Sequence, residues 1–252
     1  MPLPVRRSGN PGLNDKTFAS LPRLGLGVEG MTFKGTIDKS FLLLVVLMVS
    51  ALWPWSQYMA SGDVQSVSGI MTLGLIGGFV LALVISFKAT LAPYLAVPYA
   101  ALEGLAVGGL SAMLEQRYHG IAIQAVGLTF GVLAVLLFAY RMRWIRATAQ
   151  FRAMVIGATG GIALLYLATM ILGFFHIAVP VLNAATPLGI GISLVIVGVA
   201  ALNLVLDFDL IERGVAGGAP KYMEWYSAFG LILTLVWLYI EILRLLSKVR
   251  RD

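Results

Sequence analysis

No cysteine occurs among the 252 residues. That excludes disulfides, a thiolate nucleophile and any metal site built on sulfur, and it leaves the redox compartment open. Charge is scarce too. Only 12% of residues are Asp, Glu, Lys or Arg, where a soluble domain carries nearer a quarter. The two histidines, His119 and His176, lie in separate loops and neither has a second ligand at metal spacing. HExxH, Walker A and GxSxG patterns are absent, and a Ser/His/Asp arrangement would need distant segments to meet by accident. Nothing argues for covalent chemistry, so an enzyme is not expected, and neither is a cofactor. Residues 25–30, GLGVEG, spell GxGxxG. The nucleotide-binding form of that motif needs a strand before it and a helix after it, and here it stands in a polar tail. Residues 1–39 lack the apolar core of a secretory signal, and no clear internal repeat of the transporter kind is visible.

What is there is apolar. Hydrophobic residues make up 59% of the chain, and mean hydropathy is +0.90, which points to an integral membrane protein. A spanning helix needs about 20 mostly apolar residues. Seven segments qualify: roughly 40–59, 69–87, 92–114, 121–140, 153–175, 188–208 and 226–246. The expected fold is therefore an all-α bundle of seven transmembrane helices over residues 40–252, preceded by a basic, mobile, cytoplasmic tail over 1–39.

The net charge of +6 is explained by membrane orientation, not by nucleic acid. With the N-terminus inside, thirteen Lys and Arg fall on the inner side and five on the outer, as the positive-inside rule asks. The C-terminal cluster of Arg244, Lys248, Arg250 and Arg251 counts against this, so the last segment either spans fully or turns back. Trp53, Trp55 and Tyr58, and also Trp225 and Tyr226, suit an interfacial belt. Glycines spaced by four (Gly74 and Gly78, Gly104 and Gly108, Gly127 and Gly131, Gly157 and Gly161) put small residues on one helix face, where backbones can approach closely.

Acids within the spans are the candidate functional groups. An aspartate at the bilayer centre costs about 2.5–3.5 kcal/mol on insertion scales, so such a residue is expected to face protein or water. Glu103 lies in mid-span, Asp207 closes span 6 and Glu241 lies in span 7. Asn203 precedes Asp207 by one turn on the same face. Asp209 reads as a helix-end residue. Glu241 has Arg244 at i+3, a spacing that permits an ion pair. Two carboxyls brought together in low dielectric share a proton. Such a pair makes a pH-sensitive latch that, once ionised, offers oxygen ligands to a hard cation such as Ca²⁺.

The stretches GLTFGVLAVLLFAYR, ATGGIAL, PLGIGISL, LNLVLDFDLIERG, APKYMEWYSAFGL and LYIEILRLL resemble the Bax inhibitor/YccA-like family of transmembrane Bax inhibitor motif proteins, in a bacterial subgroup. The resemblance covers most of residues 30–250. It implies a seven-helix fold with a central seventh helix, in the bacterial inner membrane. It also implies a pH-sensitive Ca²⁺ leak governed by acids on the sixth and seventh helices. Bacterial members are linked to the membrane protease FtsH, which makes such a protease an expected partner. Carried over by position, Asp207 stands as the sixth-helix acid, with Ile211 four residues on, and Glu241 as the seventh. They are the expected transient Ca²⁺ ligands, with Glu103, Asn203, Asp209 and Arg244 accessory. DFD replaces the family's DTQ, and Glu replaces Asp. If span 7 begins at Tyr226, Glu241 lies about 22 Å deeper at 1.5 Å per residue. Asp207 then reaches it only if span 7 starts outside the bilayer or span 6 ends deeper. Otherwise Glu103 is the partner of Glu241.

Overall fold

The computed structural model describes residues 30–175 and 184–251. Most of the expected tail, including the GLGVEG stretch up to residue 29, and the His176 loop lie outside the described residues. Seven long helices follow in order: α1 (Phe33–Ser61), α2 (Gln65–Phe87), α3 (Ala92–Arg117), α4 (Ile121–Arg141), α5 (Ala149–Phe174), α6 (Pro187–Ala216) and α7 (Met223–Val249). Each is long and apolar enough to cross a membrane. The chain is thus a multi-pass membrane protein, and a lipid bilayer surrounds it. A 3₁₀ turn, Ala89–Leu91, joins α2 to α3.

The helix ends follow local chemistry. Thr32, Thr148 and Thr186 cap α1, α5 and α6, each hydroxyl accepting a backbone N–H of the first turn. That satisfies a donor with no partner inside its helix. Pro187 opens α6, where a missing N–H does no harm. Gly62 ends α1 at φ +65°, in the left-handed region that glycine enters freely. The spans are longer than expected, chiefly because polar turns extend them past the apolar core. Thus α1 begins at Phe33 and takes in Lys34, Asp38 and Lys39. Residues 30–39, expected in the tail, are built into the fold, and Gly30 bridges to Pro220. Similarly, α6 runs eight residues beyond 208. With 27 residues, α7 reaches about 40 Å. It is a full span and not a re-entrant one.

α7 buries the largest share of its span and α5 the smallest. α7 packs against α1, α3, α4 and α6, while α5 rests on α6. Glycines set the closest approaches. A Cβ at Gly104 would lie 2.3 Å from the Leu47 carbonyl oxygen, and one at Gly108 would lie 2.2 Å from that of Ala51. These positions press α3 onto α1. A Cβ at Gly74 would meet the Leu102 carbonyl oxygen at 2.5 Å, which presses α2 onto α3. The equally spaced Gly127, Gly131, Gly157 and Gly161 have nothing within 4 Å. Trp53 is exposed, as a belt residue should be, but Tyr226 is fully buried in the core.

Candidate functional site

Along α5, Arg152, Thr159 and Tyr166 are seven residues apart, which places them on one face. Each reaches a polar partner on α6 or α7. The Arg152 guanidinium lies 2.6 Å from Asp209 Oδ2 on α6. Asn203 Nδ2 donates to Thr159 Oγ1 at 2.8 Å and to the Val199 carbonyl at 2.9 Å. The Tyr166 hydroxyl donates to Glu241 Oε1 on α7 at 2.7 Å. The result is a file of polar groups between α5, α6 and α7 that runs from one end of the spans toward the other.

Toward the C-terminal end the file becomes cationic. Arg244 pairs with Glu241 at 3.2 Å, donates to the Tyr166 hydroxyl and stacks over its ring at 5.0 Å. One turn further, Lys248 is only 2% exposed. Its Nζ donates to the Gly189 carbonyl at 3.0 Å and to Ser193 Oγ at 2.7 Å. A buried ammonium needs such oxygens. Oxygen atoms of Glu241, Tyr166, Gly189 and Ser193 thus surround two cations tethered to α7.

The three candidate acids occupy three separate places. Asp207 is fully buried within α6. Glu241 is 1% exposed and paired with Arg244, so it does not snorkel to the surface. Glu103 faces α2, where a Cβ at Gly78 would lie 3.0 Å from its Oε2; it is not the partner of Glu241. Asp207 and Glu241 do not meet either. Lys248 opposite Gly189 and Ser193 sets the antiparallel register of α6 and α7. That register puts Asp207 level with about Ile232 and Glu241 level with about Gly198, an offset of nine residues or about 13 Å. Asp209, expected at a helix end, lies inside α6 and joins Arg152 and Arg213, the latter at 3.0 Å. Among the described residues, no three Asp, Glu or His gather to hold a metal ion.

A second polar cluster has little local signature in the sequence. Glu224 opens α7 and stands for a protruding start if read by charge alone. Instead it is fully buried. Its carboxylate accepts from Thr32 N at 2.9 Å and Thr32 Oγ1 at 2.8 Å and is ion-paired with Lys39. Lys221 lies 3.4 Å away. The start of α1 is thereby fastened to the start of α7. These partners are far apart in sequence, so no local pattern announces them. The heptad of Arg152, Thr159 and Tyr166, by contrast, is visible in the sequence. Lys248 reads as a loop charge because its partners are a backbone carbonyl and a serine.

A polar file inside a seven-helix bundle narrows the choice of family, and a family model decides it. The Bax inhibitor 1 like model matches residues 6–251, nearly the whole chain. The chain belongs to the Bax inhibitor 1 like family. Curated proteins and solved structures yield no match. For a Bax inhibitor 1 like chain, a channel-like role in the membrane is consistent with the file of acids and cations described above.

Proposed function

We propose that the protein is a pH-sensitive cation leak, with Ca²⁺ as its permeant ion, in a bacterial inner membrane. The N-terminus is cytoplasmic in this reading, α7 is the central helix, and no catalysis is involved. The pathway follows the seam between α5, α6 and α7. The observation that carries the reading is the file from Asp209 through Asn203 to Glu241 and Ser193, in a chain of this family. Asp207 and Glu241 act as two stations about 13 Å apart, not as one latch. Ca²⁺ takes oxygen ligands and tolerates irregular geometry, which suits carboxylates, carbonyls and hydroxyls passed in turn. In this reading Arg244 and Lys248 occupy the oxygens of the second station and keep the leak closed. The sign of the pH response follows from charge. An ionised acid attracts a cation and a protonated one does not, so the leak falls as pH drops.

The test is Ca²⁺ entry into liposomes carrying the purified protein between pH 5 and 8. Asp207→Asn and Glu241→Gln should each reduce flux severalfold and flatten its pH profile. If both variants leave flux and profile unchanged, the seam is not the pathway.

The clamp at Glu224 supports a second reading. Thr32 is fixed on Glu224 and Met31 N–H donates to the Ala219 carbonyl at 2.6 Å, so the junction with the segment before residue 30 is anchored at the α6–α7 turn. In this reading that segment engages an FtsH-type membrane protease. Deleting residues 2–29 should abolish co-purification with such a protease while sparing the leak. Association that survives the deletion removes this reading.

A further inference from the structure

A cleft of about 330 Å³ opens between α1 and α4, with α3 and α7 forming its floor. Its walls include Met48, Leu52 and Trp55 of α1 and Ile123, Val126 and Phe130 of α4. The few hydroxyls that line it are already satisfied. Ser111 and Tyr239 share a hydrogen bond of 2.8 Å, Ser111 also donates to the Val107 carbonyl at 2.6 Å, and Thr129 donates to the Ala125 carbonyl at 2.7 Å. A pocket that asks for no hydrogen bond suits hydrocarbon and offers nothing to water or an ion. It is therefore separate in chemistry from the polar seam.

At one end of the cleft the surface turns cationic. Arg250 donates to the His119 carbonyl and to Gln124 Oε1, both at 2.7 Å. That places its guanidinium beside the first turn of α4, whose Ala122 and Ile123 line the cleft. Arg251 donates to the Tyr118 hydroxyl at 3.3 Å, and Arg117 lies over the same ring at 5.7 Å. Among the described residues, the two acids Glu115 and Asp63 at this end are turned to backbone amides. Glu115 accepts from Ala122 N at 3.0 Å, and Asp63 from Gln65 N at 2.9 Å. Arginine guanidiniums next to an apolar slot match one kind of membrane component: a phosphate-bearing headgroup on an acyl chain.

We infer that the cleft between α1 and α4 holds an acyl chain of an anionic phospholipid, whose headgroup phosphate is gripped by Arg250, Arg251 and Arg117. The site is independent of the proposed leak. The experiment is native mass spectrometry of the full chain, released from micelles containing equal dioleoyl phosphatidylglycerol and dioleoyl phosphatidylcholine. One phosphatidylglycerol per chain should be retained, roughly tenfold over phosphatidylcholine. Val126→Trp, which fills the cleft, should remove retention of both lipids. Arg250→Gln combined with Arg251→Gln should remove the preference. Should Val126→Trp fail to fold, Ile123→Trp on the open rim serves, since Ile123 is 72% exposed. Absence of retained lipid, equal retention of the two lipids, or retention unchanged by filling the cleft would each overturn the inference.

Discussion

Lys248 shows what single residues do here. A lysine 2% exposed is held by a backbone carbonyl and a serine hydroxyl, with no carboxylate within ion-pair range among the described residues. Its charge stands where a permeating cation would need the same oxygens. At about 8 Å and an effective dielectric of 20, a unit charge repels another by about 2 kcal/mol. A divalent ion feels twice that. Lys248→Met keeps the bulk of the side chain and removes the charge, so Ca²⁺ flux at pH 7 should rise by roughly tenfold or more. Unchanged flux in a folded variant would mean that the ammonium does not guard the path. Arg244→Gln probes the neighbouring station. It leaves Glu241 with Tyr166 alone, and the loss of the charge-assisted contacts of Arg244 with both Glu241 oxygens should destabilise the protein by about 1–3 kcal/mol. A melting curve in detergent reads that loss apart from flux.

At the scale of helices, the glycine pairs separate what spacing alone had made equal. Gly104 and Gly108 lie against the backbone of α1, where a methyl group would overlap carbonyl oxygens. Gly157 and Gly161 lie against nothing within 4 Å. Gly108→Ala should therefore cost about 2 kcal/mol or more, because backbone cannot rotate away as a side chain does. Gly157→Ala should be neutral or should stabilise α5 by about 0.4–1 kcal/mol. Thermal melts of the two variants check the contrast, and equal effects would refute the packing assignment. The spans themselves were legible because runs of about 20 apolar residues carry their own signal. Their ends were less so, since Lys34, Asp38 and Lys39 look like tail residues until Glu224 is seen to receive them. The site was legible only in part. Asp207 and Glu241 stand out as acids in lipid, but their separation follows from the α6–α7 register, and Lys248 fixes that register through partners with no charge to betray them. The role of Arg152 depends likewise on Asp209, 57 residues away.

For the whole molecule, the contacts put the two ends of the described chain on opposite sides. Met31 bonds to Ala219 beside the α6–α7 turn, whereas Arg250 bonds to His119 beside the α3–α4 turn. Seven crossings require this arrangement. With the residues before 30 counted on the N-terminal side, thirteen Lys and Arg against five make a cytoplasmic N-terminal side the expectation of the positive-inside rule. The four basic residues near the C-terminus are the apparent exception. Two of them are explained by what they hold: Arg244 neutralises Glu241, and Lys248 fastens α7 to α6. Neither is a free loop charge of the kind the rule counts. Arg250 and Arg251 remain on that side, at the mouth of the α1–α4 cleft. The absence of cysteine makes the orientation directly measurable, because any introduced thiol is the sole one. Val64→Cys and Gly120→Cys should react with an impermeant maleimide on intact cells, while Arg143→Cys and Gly218→Cys should react only after the membrane is opened. Labelling in the reverse order would place the basic side outside and move the cytoplasmic mouth of the proposed pathway from Asp209 to Lys248.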